Sequence, residues 1–164
     1  MNDNYVMYNG KKLPFPKEWE EMLKEEEKKD IFARAREQRY FYISGSGKIN
    51  HSGEIFSSCD DDYYDNANYC TDKEVMKQRA LHEILNRRLW RFSEQNGGSE
   101  INWRYNDNVA FIIYYSYAED AYKISESYWW RNVSAIYFKT YETAQKAIEE
   151  IIKPFFAEHP EFKW

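Results

Sequence analysis

The sequence predicts an α+β protein, with antiparallel sheets, two Thr-capped amphipathic helices and an N-terminal helical arm. Three stretches carry that expectation. Val109 to Tyr117 is the best strand of the chain, a run of β-branched and aromatic residues that would put Val109, Phe111, Ile113, Tyr115 and Tyr117 on one face and Ala110, Ile112, Tyr114 and Ser116 on the other. Met76, Ala80, Leu81, Ile84, Leu85, Leu89 and Phe92 recur at helical spacing. So do Ala144, Ala147, Ile148, Ile151 and Ile152 after Thr140, a residue suited to cap a helix.

Taken in order, residues 1–14 read as an extended arm, with Tyr5 to Tyr8 as a short strand and Asn9-Gly10 as a turn. A helix is predicted from about Pro16, which suits a first helical turn, to Arg39. Its apolar stripes, Trp19, Met22 and Leu23 and then Ile31, Phe32 and Ala35, are separated by the charged run from Lys24 to Asp30. Residues 40–44 and 48–52 read as a hairpin around Gly45-Ser46-Gly47. Residues 58–70 are polar, acidic and tyrosine-bearing, and read as a loop. Thr71 and Glu74 match a capping box, in which hydroxyl and carboxylate each satisfy an orphan backbone N–H, so a helix should run from there to about Gln95 and stop at Gly97-Gly98. Residues 100–105, 109–117, 122–130 and 134–139 read as strands, and Pro154 should end the last helix. Phe155 and Phe156 should then fold back onto the core. Residues 1–39 thus form an arm and charged helix, followed by an α+β domain over 40–164. Tyr69-Cys-Thr71 parallels Phe138-Lys-Thr140, which suggests two related strand-strand-helix units, 40–96 and 100–153.

Composition narrows the function classes. The formal net charge is −5, from 23 basic and 28 acidic side chains, which argues against a general nucleic-acid binder relying on phosphate neutralisation. Cys59 and Cys70 belong to no C-x-x-C pair, and His51, His82 and His159 are isolated, so neither a zinc site nor a disulfide framework is expected. No secretion signal and no membrane-length apolar run is visible, and the simplest setting is cytoplasmic. No catalytic motif or phosphate-binding glycine loop is present, so neither an enzyme nor a cofactor is expected. The unusual quantity is 19% aromatic residues. Tyr and Trp require polar partners when buried, so many should lie half exposed, as on recognition surfaces.

Three candidate surfaces follow. Tyr114, Tyr117, Tyr128, Trp129, Trp130 and Arg131 are residue types enriched at binding hot spots, and adjacent Trp129 and Trp130 would point to opposite faces of a regular strand. The acidic segment Asp60, Asp61, Asp62, Tyr63, Tyr64 and Asp65 lacks the spacing of a calcium loop but could mimic phosphate charge. Lys77, Arg79, Arg87, Arg88 and Arg91 form a basic side of the central helix, either a solvated face or an anion contact.

Phe41-Tyr-Ile-Ser-Gly-Ser-Gly-Lys-Ile49, Leu89-Trp-Arg-Phe-Ser-Glu-Gln-Asn-Gly-Gly-Ser-Glu-Ile-Asn-Trp103 and Ile136-Tyr-Phe-Lys-Thr-Tyr-Glu-Thr-Ala-Gln-Lys-Ala-Ile148, in this order, resemble small accessory proteins of phages and prophages of Gram-positive bacteria. The resemblance spans residues 40–153; the arm before it and the ending from Lys153 depart from it. It carries no catalytic signature. It implies a setting in which inhibitors of host defence, including anti-CRISPR proteins, are found. The expected role is therefore a non-enzymatic inhibitor that binds a host defence protein or protein–nucleic acid complex, with self-association into a homodimer also open. The alternatives are a multimeric sponge that traps a defence nucleotide between aromatic faces and Arg87, Arg88 or Arg131, and a phage structural or packaging component.

Overall fold

A computed structural model describes residues 5–8, 11–14, 30–103, 109–128 and 131–163. The chain is α+β and divides into two compact units, Met1–Arg34 and Ala35–Trp164. In the first, β1 (Tyr5–Tyr8) pairs antiparallel with β2 (Lys11–Pro14), Tyr5 opposite Pro14. Most of the predicted helical arm, residues 15–29, lies outside the described residues. Its last part is not helical: residues 30–38 form turns and β3 begins at Arg39. Asp30 explains the break, because its carboxylate accepts a 2.9 Å bond from the Phe32 N–H, a local turn that competes with helix.

The second unit is two hairpins with helices packed on them. β3 (Arg39–Ile43) pairs with β4 (Ile49–Gly53), and β5 (Ala110–Ser116) pairs with β6 (Ala121–Ser127), both antiparallel. Among the described residues, a single further bridge extends each hairpin: Cys70 bonds Phe41, and Phe138 bonds Phe111. The predicted strand over 134–139 is reduced to that one bridge, and β6 ends at Ser127. Of the predicted strand over 100–105, Glu100 closes a 3-10 turn (Gly98–Glu100), and residues 104–105 lie outside the described residues.

The acidic segment is a helix, α1 (Ser58–Asp65), where a loop was expected. Ser57 and Asp60 form its capping box, which makes the first acidic residue part of the fold. Helix α2 (Lys73–Gln95) buries Met76, Ala80, Leu81, Leu85 and Leu89, as the periodicity predicts. Its cap is Asp72, not Thr71: Asp72 Oδ1 accepts from the N–H groups of Glu74 (2.8 Å) and Val75 (3.2 Å). A carboxylate here also meets the positive end of the helix dipole, an advantage over a hydroxyl. Gly97 follows in the left-handed region, at φ 87°.

Thr140 caps α3 (Tyr141–Ala147), accepting from the Thr143 N–H at 3.1 Å. Pro154 does not end this helix. A π-turn, Ile148–Ile152, leads directly into α4 (Lys153–Glu158), with the Lys153 N–H bonded to the Ile148 carbonyl. The wider turn shifts the hydrogen-bond register just ahead of the proline that lacks a donor. Phe155 is thereby carried into the core with Leu81, Leu85, Leu89, Phe138, Ala144, Ala147, Ile148, Ile152 and Phe162. Phe111, Ile113, Tyr122 and Ile124, from one face of the β5–β6 hairpin, pack on that cluster.

Candidate functional site

Two aromatic surfaces stand out, one built around tryptophan and one around tyrosine. The first begins on α2. Its apolar stripe occupies Leu85 and Leu89, which turns Trp90 away from the core and leaves it 60% exposed. Facing the same groove are Ile101, Trp103 and Arg131. The guanidinium of Arg131 lies 4.5 Å from the centre of the Trp103 ring, within cation–π range. Trp103 in turn meets Tyr137 edge to face at 4.7 Å.

Tyr137 anchors the segment that presents Arg131. Its hydroxyl oxygen accepts from the Asn132 N–H at 2.5 Å, and its carbonyl accepts from the buried Ser93 hydroxyl of α2. Asn132 Oδ1 takes the Ser134 N–H at 2.9 Å, closing the turn. The groove encloses about 130 Å³, small for a drug-sized ligand and more suited to a single inserted side chain.

The second surface lies where the β5–β6 hairpin extends past the helices. Tyr115, Tyr117 and Tyr122 from the hairpin, Lys153 and Phe156 from α4, and Lys163 from the tail enclose about 570 Å³ with Asp120. Tyr115 meets Tyr117 at 5.3 Å and Tyr122 at 5.1 Å, both edge to face. The Tyr115 hydroxyl donates to Asp120, and this bond, with burial, raises its pKa. Burial first, and then Tyr115, push the Tyr122 phenol up to about 12.

The sequence candidates fall in several places. Tyr117 is 80% exposed at the mouth of the tyrosine cleft, and Arg131 belongs to the tryptophan groove. Tyr114, 45% exposed and opposite Lys123, and Tyr128, which donates to Glu126, line neither. Trp129 and Trp130 lie outside the described residues.

In the acidic segment, Asp60 is internal, only 3% exposed. It accepts from the Tyr40 hydroxyl (2.6 Å), the Ile55 N–H (3.1 Å) and the Ser57 N–H and hydroxyl (both 2.9 Å). A carboxylate so committed cannot mimic phosphate. Asp61, Asp62, Tyr64 and Asp65 are exposed, while Tyr63 stacks on Tyr42 at 4.2 Å.

The basic side of α2 is largely matched by carboxylates. Lys77 pairs with Glu161 (3.4 Å), Arg79 and Arg87 with Glu83 (3.0 and 2.9 Å), and Arg88 with Glu158 (3.1 Å); Arg91 is exposed. These pairs favour the solvated face over an anion contact. Cys59 is an exposed free thiol, and Cys70 is buried, which pushes its thiol pKa up. No group of three potential metal ligands occurs among the described residues. Nor is any described helix long and apolar enough to cross a membrane.

Trp90, Trp103, Tyr115, Tyr122, Phe156, Lys153 and Lys163 were not singled out from the sequence. Trp90 had a usable signal, an indole off the apolar stripe of an amphipathic helix. The two lysines had none, because only the fold brings α4 and the tail to the hairpin. No protein-family model, curated protein or solved structure matches the chain.

Proposed function

We propose that this protein works by binding, as a phage-encoded inhibitor that holds a host antiviral defence component through Trp90, Trp103 and Arg131. The observation that carries the reading is Trp90, a large apolar side chain held mostly in solvent beside an arginine already stacked on a second indole. Trp and Arg are enriched at binding hot spots, where they bury much area and make directional contacts. Arg131 is pre-ordered by Trp103, and the Asn132–Tyr137 bond fixes its loop, so less entropy is lost on docking. A side chain of the partner would enter the groove between Trp90 and Arg131.

The choice of a defence component rests on the likeness of residues 40–153 to phage accessory proteins. The test is a plating assay on a bacterial host with active antiviral defence. Expression of the protein is expected to raise plaque formation by a targeted phage, and the Trp90→Ala, Arg131→Ala double variant to abolish the gain. Equal plaque counts with and without the wild-type protein, across the defence systems tried, would remove the inhibitor reading. Full activity of the double variant would remove the groove from it.

A further inference from the structure

We infer that the tyrosine cleft at the end of the β5–β6 hairpin is a small-ligand site for a planar aromatic anion of the nucleoside monophosphate class. This goes beyond the partner-binding role and uses none of its residues. The cleft is assembled from three separated parts of the chain: the hairpin end, α4 and the C-terminal tail. Its volume, about 570 Å³, lies within the range of small-molecule sites.

Its chemistry selects a ligand. Four of the seven residues lining it are aromatic, and Tyr122 meets Phe156 at 5.9 Å, so the rings form a continuous wall. Successive tyrosines meet edge to face rather than stacked on one another, and Tyr117 at the mouth keeps most of its surface in solvent. A flat base can stack there without displacing a packed ring. Lys153 and Lys163 line the cleft and bring its positive charge. Asp120, the one carboxylate among the described lining residues, already accepts the Tyr115 hydroxyl, and Lys153 shares its charge with Glu149 at 2.7 Å. An anion arriving at the lysines can take over from Glu149, an exposed pair of low intrinsic value. Tyr115 and Tyr122 are neutral phenols at physiological pH, as ordinary tyrosines are, and their shifts lie further in that direction.

Bases stacked on aromatic side chains gain enough that removing one ring weakens binding about tenfold. The experiment is calorimetric titration of the full chain with the four common ribonucleoside 5′-monophosphates, with adenosine and inorganic phosphate as separate arms. At least one monophosphate should bind, at least tenfold more tightly than adenosine or phosphate alone. Tyr117→Ala and Lys153→Ala should each weaken it about tenfold. Both side chains are exposed, so these variants leave the core intact, and unchanged near-ultraviolet circular dichroism verifies this. Absence of heat with all four at millimolar concentration, or binding that both variants leave unchanged, would overturn the proposal. Neither result bears on the tryptophan groove, and Trp90→Ala should leave nucleotide binding intact.

Discussion

The Tyr40 hydroxyl donates a 2.6 Å hydrogen bond to Asp60 Oδ1, joining strand β3 to the first turn of α1 in the interior. Both residues are almost wholly buried. The carboxylate also holds the Ile55 and Ser57 N–H groups, so one side chain satisfies strand, loop and helix cap. Asp60→Asn would aim an amide donor at one set of those donors and is expected to cost about 3 kcal/mol. Tyr40→Phe removes one bond to a charged acceptor and should cost about 2 kcal/mol. Urea denaturation of both variants and their double mutant checks this: the two effects should be strongly non-additive.

The same pair sets the pH range of stability. The Tyr40 hydrogen bond, and then those from Ser57 and Ile55, hold the Asp60 carboxyl well below the usual carboxylate range, against the opposing effect of burial. A folded-state pKa below the unfolded one gives stability that is complete above the unfolded value and is lost as pH falls from about 4 toward the folded value. Burial, and then Asp60, raise the Tyr40 phenol, so its contribution is complete below about 10 and is lost above that. Stability should fall at both ends, and Tyr40→Phe should flatten both limbs. Denaturation midpoints at pH 3, 7 and 10.5 supply the comparison.

Capping distinguishes two neighbouring residues. Asp72→Ala removes the acceptor for two helix N–H groups and should cost about 1 kcal/mol. Thr71→Ala leaves the Asp72 carboxylate in place and should not reproduce this capping loss. Thr140→Ala should resemble Asp72→Ala. Thermal melts of the three variants rank them.

Gly98 links the fold to the tryptophan groove. A β-carbon there would lie 2.3 Å from Ser93 Oγ and 3.0 Å from the Ser93 carbonyl carbon. Ser93 is buried and its hydroxyl holds the Tyr137 carbonyl. Gly98→Ala is therefore expected to cost about 1–3 kcal/mol by overpacking. It should also weaken partner binding at temperatures where the variant is fully folded, because Tyr137 supports Trp103. Gly45→Ala, where the added carbon meets nothing within 4 Å, is the control.

The periodic parts of the chain were readable because burial acts on spacing. The α2 stripe from Met76 to Leu89 places apolar groups on one side of a helix, and the β-branched and aromatic run through Val109–Tyr117 supplies both faces of a strand, with Ala110 fully buried. The parallel between Tyr69-Cys-Thr71 and Phe138-Lys-Thr140 is displaced by one residue in the structure. Cys70 and Phe138 are the bridging residues, and each precedes its cap, Asp72 or Thr140, by two positions. On that alignment the buried Met76 and Ala80 match the buried Ala144 and Ile148. Helix α1 carries no apolar stripe to reveal it: it is held by the local Ser57–Asp60 capping box and by Tyr40, a residue 20 positions away. The aromatic groove escaped notice because Trp90, Trp103 and Arg131 sit on three elements that only the fold brings together.

Contact between the face around Trp90 and a partner is read directly by photo-crosslinking. A photoreactive phenylalanine analogue would replace Trp90, Arg131 or Val75 in turn, Val75 being exposed at the other end of α2. After irradiation in a defended host, positions 90 and 131 should each give the same discrete adduct and position 75 none. The same adduct from all three positions, or none from 90 and 131, would contradict the account.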